Sequence, residues 1–426
     1  MAAAACAGTA IVVSRTAADT TAPSSDLAIE TSGRGKGSTS DGKQAITRGQ
    51  RECPVLTGVG TGVTIPDRLS VLDRSPMPHG STHAAALRDT VRFAVELEEL
   101  GYHRFWVSEH HSVPGIAGSA PTVLAAAVAA ATSRIRVGTG GVMLPNHQPL
   151  VVAEQFGVLE ALHPGRIDMG LGRSVGFTGG IRRALGHDKA DAEAFPAQLR
   201  ELLGYFTGDQ DVHPSVHARP TEGLSISPFV LATGAGADNA ADFGLPLVIA
   251  AIGGDDRMAE TIERYRTRFR PGPWGSAPYV VVSRAVAVAE TRSEARDLLV
   301  SEAWSSAYSR TRGEFPPLLS PADVATLTMT DRQREYFNDS LRGQIYGTAD
   351  EVTEALEKLT HHTTPDELLI TTSGYDRSAL LDSYRRLAAL HATATTTAAH
   401  TTTTTARTTT TASPTSAAHL TSATQL

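Results

Sequence analysis

The sequence predicts an α/β protein built as a (β/α)8 barrel with insertions, lying between disordered N- and C-terminal tails. Short β-branched segments alternate with amphipathic helical segments eight times between residues 66 and 391. The 426 residues, 41% hydrophobic and 19% charged, are enough for one large barrel with a buried core. A doubly wound open sheet would show the same alternation, so the strand count favours the barrel without deciding between the two folds.

Both ends of the chain lack a persistent apolar period. Residues 1–65 are rich in Ala, Thr, Ser and Gly, and residues 392–426 are mostly Thr and Ala. Such segments cannot bury enough apolar surface to offset the entropy lost on ordering. We therefore predict a disordered N-terminal tail (1–65), a barrel domain (66–391) and a disordered Thr/Ala-rich tail (392–426).

Composition excludes several classes of protein. A net charge of -7 argues against a nucleic-acid-binding protein, because binding phosphates needs clustered Lys and Arg. Cys6 and Cys53, both in the N-terminal tail, provide neither a disulfide framework nor a zinc spacing, which favours the cytoplasm. The apolar stretch 2–13 has no basic residue before it and is too short to span a membrane.

The predicted strands and helices follow one another in regular order. The strands are residues 69–72, 104–107, 135–137, 167–171, 229–232, 247–250, 279–288 and 367–371. The helices are residues 84–100, 121–132, 149–162, 191–206, a segment ending at 242, 257–269, a helix-rich insertion to about 343, and 377–390. Leu87, Val91 and Val95 recur at helical spacing in the first helix, which stops at Gly101.

Residues 134–176 carry two glycine-rich loops, GTGG and GLGR, each directly after an apolar strand. Ligands in parallel α/β folds bind at the carboxyl ends of strands, so this stretch is expected to form half of a site. Ser108-Glu109-His110-His111 follows the second strand and belongs to the same edge. An acid and two histidines could bind a metal, but no HExxH spacing or cysteine accompanies them, and a packed histidine remains an alternative.

The segments WVSEHH, GTGGVMLPNHQPLVVAEQF and HPGRIDMGLGR, in this order, resemble the luciferase-like flavin-dependent monooxygenases of the bacterial luciferase superfamily. The resemblance runs from about Leu69 to about Leu390 and implies a (β/α)8 barrel. It further implies an enzyme that uses reduced FMN and O2, through a C4a-hydroperoxide, to oxygenate a small organic substrate. A separate flavin reductase would supply the reduced FMN, and a homodimer is expected since members of the family are often dimers.

The resemblance also assigns residues to roles. It places His110 beside the flavin as the proton-handling residue, with Glu109 and His111 in support. A non-prolyl cis peptide is expected at Gly140-Gly141, beneath the ring, and Arg173 is expected to bind the flavin phosphate. The other cofactor-binding candidates are Val142, Thr233, Gly234, Ala235 and Gly236, and the substrate-pocket candidates are Asp73, Ser75, Asn146 and His147.

The loop at residues 233–236, which the resemblance assigns to phosphate binding, departs from the family pattern. Residues 233–236 contain mostly Gly and Ala where Ser or Thr side chains are usual, so backbone N–H groups and Thr233 remain to bind an anion. Gly172 stands where the luciferases have a cysteine. Two alternatives therefore stay open: an F420-dependent hydride-transfer oxidoreductase on the same barrel, and a non-catalytic flavin-binding paralogue.

Overall fold

Eight parallel strands close into a barrel in the computed structural model, which describes residues 65–234 and 236–408, the side chains as far as residue 394. The strands are β1 (Leu69–Asp73), β2 (Arg104–Val107), β3 (Arg136–Thr139), β4 (Val142–Met143), β5 (Ile167–Gly172), β6 (Ser227–Leu231), β7 (Leu247–Ala250), β8 (Val280–Arg284), β9 (Val286–Val288), β10 (Ile345–Gly347) and β11 (Glu367–Ile370). Pairing of β1 with β11 and of β3 with β5 closes the ring, and β4 continues β3. The predicted (β/α)8 barrel is confirmed.

Helices surround the barrel. They are α1 (His83–Glu99), α2 (Pro121–Ala131), α3 (Pro149–Leu162), α4 (Gly179–Ala184), α5 (Phe195–Thr207), α6 (Gly236–Asp242), α7 (Asp255–Arg268), α8 (Arg292–Arg312), α9 (Pro321–Thr326), α10 (Asp331–Leu341), α11 (Ala349–Thr363) and α12 (Arg377–Thr408). Two 3-10 helices cover Leu144–Asn146 and Ala190–Ala194. Thr291 with Glu294, and Thr348 with Glu351, form capping boxes that fix the starts of α8 and α11.

Alternation along the strands separates an inner from an outer core. On β1, Leu69 and Val71 pack outward with the helices, while Leu72 packs inward with Trp106 of β2. The other inward side chains of this layer are Phe229, Leu231, Val248, Val281 and Leu369. Because these side chains fill the barrel interior, a ligand site can lie only at one of its ends.

The structure corrects three predicted boundaries. The strand 279–288 is broken at Ala285, and β9 leaves the barrel to pair with β10, a strand that sequence analysis missed. The helix 191–206 starts as the 3-10 helix Ala190–Ala194 and becomes α-helical only at Phe195, because Pro196 favours a helix start. The last helix, predicted to end at residue 390, continues to Thr408, the last described residue, since neither Gly nor Pro interrupts it.

Most of the two predicted tails lies outside the described residues, so their disorder stays a prediction. None of the helices in the described part of the chain combines the length and apolar character needed to cross a bilayer.

Candidate active site

The loops at the carboxyl end of the barrel are numbered here by the barrel strand that each one follows. In the first loop, after β1, the side chains point in two directions. Asp73 is buried and accepts hydrogen bonds from Thr90 Oγ1 on α1 (3.0 Å) and from Arg377 on α12 (2.6 Å). Ser75 Oγ is bound by the same Thr90 hydroxyl at 2.9 Å. These two predicted pocket residues therefore face the outer helices, where their hydrogen bonds hold α1 and α12 against the barrel.

Arg74, which sequence analysis missed, lies on the opposite face of this loop. It follows Leu72 by two positions, so it shares the inward face of β1 and reaches the barrel mouth. Arg74 is buried, and its guanidinium forms an ion pair with Glu302 of α8 and donates to Ser373 Oγ at 2.9 Å. The period-two alternation that places Leu72 inside was the signal that could have identified Arg74.

A small cavity of about 20 Å³ lies beside the Arg74–Glu302 pair. Its remaining walls are mainly apolar and include Pro76, Ile116, Phe315 and Leu318. A volume of this size holds about one water molecule. The cavity is therefore a narrow space between the polar Arg74–Glu302 pair and an apolar wall.

A strap of residues 315–318 covers the mouth. Gly115 N donates to Phe315 O at 2.9 Å, and Leu318 N donates to Met77 O at 2.9 Å. The ring of Phe315 lies 5.3 Å from that of Phe177 in the loop after β5. The helical insertion after β9 is thereby connected to three loops of the barrel mouth.

His110 presents a neutral imidazole at the mouth. Its Nδ1 lies 3.1 Å from Ser108 Oγ, and its backbone N–H donates to Gly118 O at 2.9 Å. Burial, together with the nearby Arg74 guanidinium, lowers the pKa of His110 to about 3. No described residue forms a hydrogen bond with its Nε2, so this atom can form one with a bound molecule, as donor or acceptor according to the tautomer.

Glu109 joins the second loop to the third. Its Oε1 lies 2.7 Å from His111 Nε2 and 2.9 Å from His147 Nε2, and its Oε2 accepts from Met143 N at 2.9 Å. Burial alone would raise the pKa of Glu109, but the hydrogen bonds from His111 and His147 outweigh it and lower the pKa below its usual value. Glu109, His111 and His147, all predicted site residues, are thus brought together, with the carboxylate at their centre.

The third loop contains the cis peptide that was predicted at Gly140-Gly141. A Cβ atom at Gly140 would lie 2.8 Å from Leu72 Cδ1, and one at Gly141 would lie 2.7 Å from Gly170 O. Glycine is therefore required for this loop to rest directly on the inner core of the barrel. Val142 begins β4 and buries its side chain in the outer core, so only its backbone faces the loop.

The fourth and fifth loops leave adjacent strands, since Gly172 of β5 pairs with Leu231 of β6. Arg173 has one ion pair among the described residues, a 3.9 Å contact with Glu193, whose side chain is 80% exposed. Such an exposed pair contributes little, so the guanidinium can bind an anion. Arg264, a cation that sequence analysis missed, donates to Gly234 O at 2.9 Å and holds the fifth loop.

The remaining candidates of the fifth loop are Thr233, Ala235 and Gly236. Thr233 is partly exposed beside Gly234, and Gly236 begins the seven-residue helix α6. Ala235 lies outside the described residues.

A larger cavity, of about 610 Å³, opens at the other end of the barrel, where Arg68, His103 and Arg136 line it. The amino ends of the strands serve stability in this fold, whereas ligands bind at the carboxyl ends. We therefore take the mouth that holds Arg74 and His110 as the candidate active site. Within the described ranges, no group of three or more His, Cys, Asp or Glu side chains is arranged to hold a metal ion.

The carboxyl end of the closed (β/α)8 barrel brings together the neutral His110, the buried carboxylate of Glu109, and two arginines, Arg74 and Arg173. This is the architecture of an enzyme. The chain belongs to the luciferase-like monooxygenase family, whose family model matches residues 68–377.

Similar proteins agree with this assignment. The chain is 34% identical to a luciferase-like monooxygenase of Escherichia coli K12, over 74% of this chain and 94% of that protein. It is also 34% identical to N-acetyl-S-alkylcysteine monooxygenase of Bacillus subtilis, over 68% of this chain and 88% of that protein. Among solved structures, apo-MsnO8 is 30% identical and superposes with a TM-score of 0.66, covering 76% of this chain and 97% of that one. The predicted family is confirmed, and the chain is an enzyme of this class.

Two structures at lower identity share the fold. The oxygenating constituent of 3,6-diketocamphane monooxygenase from Pseudomonas putida, in complex with FMN, is 19% identical with a TM-score of 0.57, over 77% of this chain and 98% of that one. An F420-dependent secondary alcohol dehydrogenase in complex with an F420-acetone adduct is 15% identical with a TM-score of 0.56, over 75% and 97%. Those two proteins therefore share this fold although one is in complex with FMN and the other with an F420 adduct.

Proposed function

We propose that this enzyme is a flavin-dependent monooxygenase that uses reduced FMN and O2 to oxygenate a small organic substrate. The observation that carries the proposal is the geometry of His110, whose ring is held at Nδ1 by Ser108 Oγ (3.1 Å) in the same mouth as the Gly140-Gly141 loop. Relatives that are named monooxygenases support the choice of reaction.

The residues of the mouth fit a flavin. The Gly140-Gly141 loop offers a side-chain-free surface to a planar ring, and Arg173 can bind a phosphate with its fork of N–H donors. Thr233, Gly234 and Gly236 would contribute donors from the neighbouring loop. Bound in reduced form, the cofactor would supply the reaction with O2.

The chain's own residues would control protons and water. His110 would hold or transfer a proton at Nε2, while Ser108 fixes the orientation of the ring through Nδ1. Glu109 would keep the second and third loops in a fixed relation through His111, His147 and Met143 N. The strap 315–318 and the ring of Phe177 would exclude water from the bound substrate.

An F420-dependent hydride-transfer oxidoreductase is the second candidate. The observation in its favour is the fifth loop, where Gly and Ala replace phosphate-binding side chains and leave little to select FMN. The fold shared with an F420-dependent alcohol dehydrogenase is consistent with it. A non-catalytic flavin-binding paralogue is a third candidate, against which the intact His110 and Gly140-Gly141 segments argue.

One set of measurements separates the three candidates. The purified protein is titrated with FMN and F420 under reducing conditions, and O2 consumption is followed with an added NADPH-dependent flavin reductase and a panel of thioethers, ketones and aldehydes. Substrate-coupled O2 uptake with FMN is the expected result. Turnover with F420 but not FMN would establish the second candidate, and flavin binding without any turnover would establish the third.

The proposal includes one protein partner and a compartment. Reduced FMN would come from a separate flavin reductase, because no G-x-G-x-x-G dinucleotide-binding motif for a nicotinamide cofactor is recognised beside the barrel. We propose the cytoplasm as its location, since the two cysteines provide no disulfide framework.

Arg173→Ala is expected to raise the dissociation constant of FMN at least about tenfold, because it removes a charge-assisted contact with the phosphate. Fluorescence quenching of FMN measures the constant, and riboflavin, which lacks the phosphate, should bind both proteins equally. Arg270→Ala, which removes an exposed arginine elsewhere, is the matched control and should leave binding unchanged. An unaltered FMN constant in Arg173→Ala would remove Arg173 from the phosphate site.

We further propose a homodimer formed through α2 and α3. Val151, Val158 and Leu162 lie at helical spacing on one face of α3, and all are 46% or more exposed. Val123 on the neighbouring α2 is 69% exposed. Such a continuous apolar face suits the self-complementary contact of a two-fold dimer.

Leu162→Glu is expected to convert the dimer into a monomer, because it places a charge in the apolar contact. Light scattering after size exclusion measures the mass. Val212→Glu, at an exposed valine between α5 and β6, is the matched control and should remain dimeric. A wild-type protein of monomer mass at micromolar concentration would refute the dimer.

A further inference from the structure

The side chain of Asn146 has no hydrogen-bond partner in the described part of the chain. Both its Oδ1 and its Nδ2 are buried, so neither atom reaches bulk solvent. Buried amides in folded proteins are almost always hydrogen-bonded, because an unsatisfied donor or acceptor loses its hydration without compensation. A carboxamide with both ends unsatisfied therefore indicates a partner that the protein itself does not provide.

The local structure holds Asn146 in place. It is the last residue of the 3-10 helix Leu144–Asn146, and the residues on both sides of this helix are bound by Glu109. These bonds tie both ends of the 3-10 helix to Glu109, so the position of the Asn146 backbone in the loop is fixed.

The geometry of the 3-10 helix indicates where the carboxamide lies. Side chains three residues apart share a face in such a helix, so Asn146 lies on the side of Met143. Leu144, one position later, packs into the outer core, whereas Met143 belongs to neither the outer nor the inner apolar cluster. Asn146 is therefore on the side of the loop that continues from Gly140-Gly141, where the proposed function locates the ring.

A primary carboxamide presents an N–H donor next to a C=O acceptor, and its best partner presents the same pair in reverse. The pyrimidinedione edge of an isoalloxazine ring, with N3–H between two carbonyls, is such a partner, and a deazaflavin ring keeps this edge unchanged. A phosphate or carboxylate offers acceptors only and would leave Oδ1 unsatisfied.

We infer that Asn146 binds the pyrimidinedione edge of the ring through this pair of hydrogen bonds. The inference rests on the proposed function only in requiring a flavin or a deazaflavin, and it holds for either cofactor.

The test uses the full-length protein, FMN and FMN methylated at N3, which cannot donate from N3. Asn146→Ala is expected to raise the dissociation constant of FMN about tenfold, through the loss of two hydrogen bonds. The N3-methyl analogue should bind the wild type and the variant equally. Asn146→Asp keeps the size of the side chain but replaces the N–H donor with an oxygen, so it should weaken FMN binding at least as much. This variant replaces Asn146→Ala in the test if the alanine variant does not fold.

Gln198 provides the control. Its Oε1 is also buried without a partner among the described residues, and it lies on α5, which packs against the 3-10 helix. A water molecule shared by the two amides is the competing explanation, and Gln198→Ala would disturb that water without contacting the ring. We expect Gln198→Ala to leave FMN binding unchanged.

The outcomes are distinct. Unchanged FMN binding in Asn146→Ala, or equal losses for FMN and its N3-methyl analogue, would overturn the inference in favour of a buried water. Equal losses in the Asn146 and Gln198 variants would overturn it as well. A wild-type protein that binds neither FMN nor F420 would instead refute the proposed function itself.

Discussion

Replacing His110 with alanine is expected to lower kcat/KM about 10²- to 10⁴-fold, the range that a positioned general acid or base contributes. The dissociation constant of FMN should change by less than about threefold, because we propose that Arg173 rather than His110 binds its phosphate. Since the pKa of His110 is about 3, its imidazole is neutral throughout pH 5–8. We therefore expect His110 to add no step to the pH dependence of kcat/KM in that range.

Two further variants sharpen this prediction. Ser108→Ala removes the hydroxyl 3.1 Å from Nδ1 and should produce a smaller loss of kcat/KM, because the imidazole remains but is less well oriented. His217→Ala, at a histidine paired with Glu222 on the surface, should behave as the wild type. Stopped-flow oxidation of the reduced flavin and steady-state rates supply the measurements. Wild-type turnover in His110→Ala would end the proton-handling role.

The sequence was sufficient for the barrel and for the motifs at its mouth. Strand periodicity and the family resemblance located all eight barrel strands, and the cis peptide was predicted at Gly140-Gly141. The predicted pocket residue Asp73 hydrogen-bonds to α1, whereas the alternation that places Leu72 inside the barrel continues to Arg74. Alternation of side chains therefore extends past the end of β1 and is the sequence signal for Arg74.

Other parts of the site could not be read from local patterns. Arg74 is paired with Glu302, which is 228 positions away on a helix of the insertion, and no spacing rule connects them. The strap 315–318 and the partner strand β10 likewise depend on tertiary contacts of the insertion. Glu109 and His147 belong to separate sequence motifs, and only the fold shows that the Glu109 carboxylate binds His147.

Asp168→Ala is expected to lower the free energy of unfolding by about 3–5 kcal/mol, the cost of removing one partner from a buried ion-pair network. The carboxylate is fully buried and accepts from Arg104 at 2.8 Å, from Trp106 Nε1 at 3.0 Å and from Arg136 Nε at 2.9 Å. These donors come from β2 and β3 and the acceptor from β5, so the network crosses the point where β3 and β5 close the barrel.

The loss would be large because the remaining groups cannot compensate for it. Arg104 would keep Glu367, to which its Nε donates at 3.0 Å, but Arg136 would have no carboxylate within the described network. Urea unfolding followed by circular dichroism measures the effect. Asp242→Ala, which breaks a more exposed pair with Arg268, is the matched control and should cost less than about 1 kcal/mol. Equal stability of the two variants would show that the closure of the barrel depends on its apolar layer rather than on Asp168.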